Sequence, residues 1–333
     1  MNSFSLADCS SVDAALAQLK NGAVIKAGGV DLLDRMKNGT DQPTRLVNIR
    51  NIKELRGVHA TDQGLTIGAL TTLAEIAADP AIRAQYTVLS DACGHAATPH
   101  IRNMATVGGN ILQGLQCWYF RSAQFECIRK GKDQCFAFSG LNQYHAIMDY
   151  GGCPSVAPSS AAVALLALDA GIELVSASKG RRSVAIKDFY VQPDSNPHRF
   201  NVKEEDEILT AVHIPRPRAG TRSAYQKYGD KESHDWALAD AGVVLEMDGA
   251  VCRRAVVTMG AASPVVRRSA EAEAELTGKP ITMETARAAG HAAMKGAMPL
   301  SMNGYKVRLF PVAIYRTVLL AAGQMDRDPG AAG

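Results

Sequence analysis

Four cysteines, Cys117, Cys127, Cys135 and Cys153, fall in one polar window of the 333-residue chain, beside Arg121, Glu126, Arg129, Lys130, Lys132 and Asp133. Scattered thiols usually serve as small core hydrophobes, but flanks this charged predict thiols that are not buried. Thiolates held at irregular loop spacings suit a soft metal centre, either zinc or an iron-sulfur cluster. Zinc usually binds through close Cys-x-x-Cys pairs, whereas these gaps are wide and unequal. Spacing by itself leaves a metal centre, disulfides and unrelated thiols all open.

Two glycine pairs could do a second kind of chemistry. Gly28-Gly29 follows the strand-like Ala23-Val24-Ile25-Lys26-Ala27 and precedes the helix-like Asp31-Leu32-Leu33-Asp34-Arg35-Met36. A strand-glycine-helix junction offers free backbone N–H groups and close approach, which is what a pyrophosphate needs. Gly108-Gly109 lies in a second turn, where Thr106 and Asn110 could give a hydroxyl and an amide to phosphate oxygens. A plain tight turn competes with either reading taken singly, and neither a GxGxxG nor a GxxxxGK[ST] motif is present. Two such turns separated by a mixed α/β stretch are consistent with one dinucleotide held between two small subdomains. The sequence Asp91-Ala92-Cys93-Gly94-His95 reads as a helix ending in a loop rather than a catalytic Cys/His pair, and His213 as a solvent-facing strand residue.

The elements that must position these groups follow from periodicity. Helical spacing covers 11–19, with a Ser11 or Asp13 cap, and Thr71 to Ala78. Strands are expected at 45–49, 64–69, 171–176, 181–186 and 208–215. A long apolar helix runs from Ala161 to Ala170, capped by Ser159 or Ser160. The proline-rich stretch 214–220 marks a boundary. Beyond it the pattern predicts a helix from about Asp235, strands near 243–247 and 252–259, and helices over 270–276, 283–295 and about 304–322. Only the tail from Asp328 looks frayed.

Composition is that of an ordinary soluble globular protein, 47% hydrophobic and 21% charged, and the net charge of +3 implies no special partner. No basic block interleaved with aromatics appears, which argues against nucleic acid, and no apolar run approaches a membrane span. The first residues lack a signal-peptide pattern. The chain is therefore expected to be cytoplasmic, or periplasmic by co-export with a signal-bearing partner. Seven cysteines, an odd number, argue against a fully paired secreted scaffold.

Ala27-Gly28-Gly29-Val30-Asp31-Leu32-Leu33, with Ile101-Arg102-Asn103 and Ala105-Thr106-Val107-Gly108-Gly109-Asn110-Ile111, resembles the two flavin-binding loops of the medium subunit of molybdenum hydroxylases, the xanthine dehydrogenase and carbon monoxide dehydrogenase family. The resemblance covers nearly the whole chain. The cysteine-bearing insertion, with Cys117-Trp118-Tyr119-Phe120-Arg121, is similar to that of flavin subunits of bacterial aldehyde oxidoreductases, where it holds a 4Fe-4S cluster. The implied fold is α+β: a two-subdomain FAD-binding fold of the vanillyl-alcohol-oxidase/PCMH type over 1–220 (about 1–55 and 56–220, insertion at about 113–156), then a C-terminal α+β domain of the CO dehydrogenase flavoprotein type over 221–327.

Carried over residue by residue, the resemblance assigns the first loop to Lys26, Ala27, Gly28, Gly29, Val30, Asp31 and Leu32, where valine replaces the usual hydroxyl residue at 30. It assigns the second loop to Ala97, Ile101, Ala105, Thr106, Gly109, Asn110 and Leu112, with His100 where the family often has glutamine. Ser159 and Ser160 match a Ser-Asp pair, Ile208 and Leu209 line the flavin ring, and Lys227 lies near the isoalloxazine edge. The cluster ligands would be Cys117, Cys127, Cys135 and Cys153, while Cys9, Cys93 and Cys252 would not be ligands. No residue is expected to be catalytic toward the substrate.

The implied function is electron transfer in a molybdenum-dependent aldehyde oxidoreductase, a heterotrimer. A molybdenum-cofactor large subunit would oxidise the aldehyde, a 2Fe-2S small subunit would relay electrons, and FAD here would pass them to a terminal acceptor. Alternatives are the flavin subunit of another molybdenum hydroxylase, of xanthine or hydroxybenzoyl-CoA type, a stand-alone flavin oxidoreductase, and a zinc-stapled interaction module.

Overall fold

The computed structural model describes residues 1–231 and 234–326; the tail expected to fray from Asp328, and residue 327 of the expected C-terminal domain, lie outside the described residues. The chain opens with β1 (Ser5–Asp8), α1 (Val12–Gln18), β2 (Val24–Lys26), α2 (Val30–Lys37) and β3 (Arg45–Asn48). Ser11 caps α1 by accepting from the Ala14 N–H. The three strands form a parallel sheet in the order β1-β3-β2, packed on a small core of Leu16, Val47, Ile52 and Leu55.

Next come β4 (Val58–Thr61), β5 (Gly64–Gly68), α3 (Leu73–Ala78), α4 (Pro80–Gln85), α5 (Thr87–Gly94), α6 (Pro99–Arg102) and α7 (Val107–Ile111). After the cysteine-rich stretch follow α8 (Ser160–Ala167), β6 (Gly171–Ser176), β7 (Gly180–Ala185) and β8 (Glu207–Pro215). The strands make a five-stranded antiparallel sheet in the order β4-β5-β8-β6-β7. Helix α8 is buried along its whole length, so it shows no polar face, the signature of a helix inside a large core. Ser159 is its cap, accepting from Ala162 N–H.

The last unit is β9 (Thr221–Tyr228), β10 (Ala239–Asp248), β11 (Val251–Gly260), β12 (Arg267–Arg268), α9 (Ala270–Leu276), α10 (Met283–Ala292) and α11 (Lys306–Ala321). Its antiparallel sheet runs β12-β11-β10-β9, and α11 packs on β9, β10 and α10. The core of the five-stranded unit continues into this sheet through Tyr225, Val244 and Val256.

Three expectations fail for identifiable reasons. There is no helix from Asp235: residues 235–238 are irregular, and the Ala/Val run after them is β10, a central strand flanked on both sides and buried from Ala239 to Leu245. A strand covered on both faces reads as a continuous apolar run, which periodicity cannot distinguish from a buried helix. The second glycine turn is a helix start, with Thr106 as N-cap accepting from Gly109 N–H. Finally, the polar flanks of the four cysteines do not expose them, since Cys127 and Cys153 are buried and Cys117 and Cys135 half-buried. Strands β1 and β4, mostly exposed, carry too little apolar alternation to be seen in the sequence.

Candidate functional site

A cavity of about 980 Å³ runs between the three-stranded unit and the rest of the molecule. Its wall includes Ala27, Gly28, Gly29, Val30, Asp31 and Leu32 from the first glycine loop, and Ala97, Ile101, Ala105, Thr106, Gly109, Asn110 and Leu112 from the second. Ser160, Ile208, Leu209 and Lys227 complete the expected set. Lys26 and Ser159 stand one layer back. Lys26 Nζ donates to Asn48 Oδ1 at 3.3 Å, while Ser159 Oγ donates to Asn110 Oδ1 at 2.6 Å and so orients that amide.

The two loops touch, and glycine is what lets them. A Cβ on Gly28 would fall 2.0 Å from the Met104 carbonyl oxygen, and one on Gly108 would meet Ala69 at 3.0 Å. Gly29 is the N-cap of α2 at φ 80°, with no side chain to satisfy the helix's first N–H groups. Those donors open into the cavity at Val30, Asp31 and Leu32, an arrangement suited to a phosphate anion. Asp31 itself is turned away from this task. Its carboxylate takes Arg121 Nη2 at 2.7 Å and Gly114 N–H at 2.8 Å. Ala97 is held left-handed at φ 46°, a strained conformation for a residue with a Cβ, and its carbonyl accepts from His234 N–H.

Lys227 is one of several cations in this wall, donating from Nζ to Asp235 O at 3.1 Å. Burial pushes its ammonium down toward neutrality, opposed by Asp240 and then Asp235. Sequence reasoning missed Asn21, Gln113, Arg121, Asn201, Lys203 and Trp236 in the same wall. The Asn21-Gly22 dipeptide, with both residues at positive φ, was a readable turn signal. The others sit on loops without local pattern.

Beside the cavity, the cysteine-rich stretch is almost free of regular structure. A bridge between Gln116 and Val156 closes its base, and Lys130 Nζ gathers it by donating to Tyr119 O, Ser122 O and Phe125 O. Its own core is small: Leu115, Phe120 and Cys127, with Cys117, Phe136 and Phe200 against them. A segment with so little apolar core generally needs a covalent or metal staple. All seven cysteines are free thiols, which removes the disulfide reading.

Cys117, Cys127, Cys135 and Cys153 line one pocket together with Tyr119, Phe120 and Phe136. Among the described residues, however, no three or more His, Cys, Asp or Glu side chains are gathered closely enough to hold a metal ion. Two nitrogens approach the thiols: Arg129 Nε donates to Cys153 Sγ at 3.3 Å, and His145 Nε2 lies in hydrogen-bond contact with Cys117 Sγ at 3.2 Å. Burial pushes the Cys117 thiol up to about 12 and the Cys135 thiol up to about 11, so both are protonated as free thiols. Soft donors, aromatic shielding and a buried guanidinium fit a centre of net negative charge spread over four sulfurs.

The remaining candidates fall to structural roles. Cys93 is fully buried and His95 Nδ1 donates to the Asp91 carbonyl at 2.7 Å, one turn back on α5. His213 is half-exposed, between Thr66 Oγ1 at 3.0 Å and Glu173 Oε2 at 3.3 Å. No described helix is long and apolar enough to cross a membrane.

Residues 2–217 match the family described as FAD binding domain in molybdopterin dehydrogenase, and residues 223–321 match the CO dehydrogenase flavoprotein C-terminal domain. The chain is 33% identical over 302 residues to the aldehyde oxidoreductase FAD-binding subunit PaoB of Escherichia coli K12, covering 89% of this chain and 91% of that one. It is 27% identical over 281 residues to the carbon monoxide dehydrogenase medium chain of Hydrogenophaga pseudoflava, covering 84% and 81%. A solved structure of carbon monoxide dehydrogenase from the latter organism superposes with a TM-score of 0.76 at 26% identity, covering 98% of this chain and 99% of that one.

Proposed function

Because the chain belongs to the family of FAD-binding subunits of molybdenum hydroxylase complexes, we propose that it is the electron-transfer subunit of an aldehyde oxidoreductase, with a 4Fe-4S cluster in its cysteine-rich insertion. The observation that carries this reading is the cavity of about 980 Å³ walled by both glycine loops, with the four-thiol pocket of the insertion beside it. Bound FAD would supply the switch between single-electron arrival and two-electron departure. The protein's part is to hold it. The uncapped N-terminus of α2 would face the diphosphate, Ile208 and Leu209 would pack on the ring, and Lys227 would place a charge by it. The domains proposed are 1–220, as subdomains of about 1–55 and 56–220 with the insertion at about 113–156, and 221–327.

Cys117, Cys127, Cys135 and Cys153 would hold the cluster, with Tyr119, Phe120 and Phe136 excluding water. What supports this reading is that all four thiols line one pocket with aromatic side chains. The partners would be a molybdenum-cofactor large subunit and a 2Fe-2S small subunit, as in a heterotrimer. The test is a visible spectrum with iron and flavin analysis of the purified chain and identification of co-purifying subunits. Yellow-brown protein with FAD and about four iron atoms per chain is expected, and Cys127→Ser should lose the iron. A correctly folded but colourless preparation would sink the proposal.

A further inference from the structure

Behind the wall of the FAD cavity lies a buried carboxylate. Asp240 of β10 stands directly opposite Lys227 of β9 in the antiparallel register, so the two side chains project on the same face of the sheet. Asp240 is 2% exposed. Its Oδ2 accepts the Tyr225 hydroxyl at 2.8 Å, and its Oδ1 is enclosed without a hydrogen-bond partner. Room for it is made by Gly260, its partner on β11, where a Cβ would lie 2.4 Å from Oδ1.

The groups facing this carboxylate come from every element around it. Strand β9 contributes Tyr225 and Lys227, and α11 contributes Lys306, fully buried, with Nζ donating to Tyr144 O at 3.1 Å and Ala261 O at 2.9 Å. Ser160 of α8, which lines the cavity, is hydrogen-bonded to Tyr225, and Cys93 of α5 lies near the same phenol. A buried carboxylate with one oxygen unsatisfied is costly. The fold therefore has no stability reason to keep it.

We propose that Asp240 is a positioning residue for Lys227: its carboxylate, opposite Lys227 on the neighbouring strand, holds the ammonium charged beside the FAD cavity, fixing a cation at the flavin edge. This rests on the reading above, in which the flavin ring lies against Lys227. Burial and Arg102 both push Lys227 toward neutrality, and Asp240 is the larger of the two opposing charges. Burial raises the Asp240 carboxyl to about 6, against the pull of Tyr225, Lys227 and Lys306. A fixed cation favours the negatively charged reduced ring and so governs how readily the flavin takes up electrons.

The test is the FAD midpoint potential of D240N and of the wild-type chain, loaded with FAD in its complex, titrated over a pH series above the Asp240 transition. Deleting a nearby anion alone would offset the potential equally at every pH. Loss of the Lys227 proton makes the variant's potential fall progressively below that offset as pH rises, and this divergence is the expected result. It should vanish between K227M and K227M/D240N, since Asp240 acts through Lys227. Parallel profiles for D240N and wild type would overturn the proposal, as would a divergence that persists without Lys227. Asp240→Ser replaces D240N if the latter does not retain FAD. Failure of both to retain it while the wild type does would overturn the proposal by giving Asp240 a structural role, whereas a wild-type chain without FAD would overturn the flavin reading instead.

Discussion

Arg129 donates from Nε to Cys153 Sγ at 3.3 Å while its Nη1 donates to Pro197 O and Arg199 O, and none of its partners among the described residues is a carboxylate. The side chain is 6% exposed and stacks on Phe200. A buried guanidinium without an anion is destabilising by several kcal/mol, and the thiolate that the proposed cluster would place at Cys153 would supply its counter-charge. Arg129→Met is expected to shift the midpoint potential of the proposed cluster negative, because its reduced form would carry one more negative charge and would lose both the cation and the N–H···S bond. Arg129→Lys should shift it less. Redox titration followed by electron paramagnetic resonance reads both variants, and an unmoved potential with full iron would refute the assignment.

Contact between the two glycine loops sets a second expectation. A methyl on Gly28 would sit 2.0 Å from the Met104 carbonyl oxygen, a backbone atom that cannot rotate away. Gly28→Ala should therefore separate the loops, costing about 1–3 kcal/mol or more, and lower FAD content. Gly131→Ala is the control. Gly131 is at φ +86° in the insertion with nothing near its missing Cβ, so only backbone strain of about 1–2 kcal/mol applies. Equal FAD loss in both would show that Gly28 is not special.

Much of this site was legible because its chemistry is local. The strand-glycine-helix junction at Gly28-Gly29, the cap at Ser159, one of the two serines expected, and the apolar run of α8 each lie within a few consecutive residues, and the structure forms all three, with α8 ending at Ala167 rather than Ala170. What the sequence hid is long-range. Nothing near Asp31 announces that its carboxylate faces Arg121, 90 positions away, and nothing near Asp240 announces Lys306. The inward turn of Cys127 and Cys153 was hidden for the same reason. Charged neighbours such as Arg129 and Lys130 read as solvent-facing, but Arg129 is itself buried and Lys130 spends its ammonium on backbone carbonyls.

The Asp31–Arg121 pair ties the first glycine loop to the insertion, and Arg121 also lies over the Trp236 ring at 5.0 Å from its centroid. Both partners are largely enclosed, at 18% and 9% exposure, and Arg35 at 3.4 Å is a poorer second partner for the acid. Arg121→Met should cost about 1–3 kcal/mol, the range for a hydrogen-bonded charge left partly unsatisfied. It should also weaken FAD retention, because the start of α2 loses its anchor. Thermal unfolding of R121M, D31N and the double variant measures the coupling, and additive effects would mean that the pair is not a strut.

At low pH one loss of stability should come from Glu207, at the start of the strand that carries Ile208 and Leu209 into the cavity wall. Its side chain is 1% exposed and is held by Arg182 Nε at 2.6 Å and Nη2 at 2.8 Å, with the Glu204 N–H as a third donor. Those contacts, Arg182 foremost, hold its carboxyl below the ordinary carboxylate range. A depressed folded value means a contribution to stability that is complete above the unfolded value, about 4.3, and is lost as pH falls through the folded one. Arg182 is partly exposed, so the contribution is screened. Urea midpoints of wild type and Glu207→Gln should therefore differ at neutral pH and converge as the acid limb is descended. A gap that stays constant into the acid range would place the effect in packing rather than in charge.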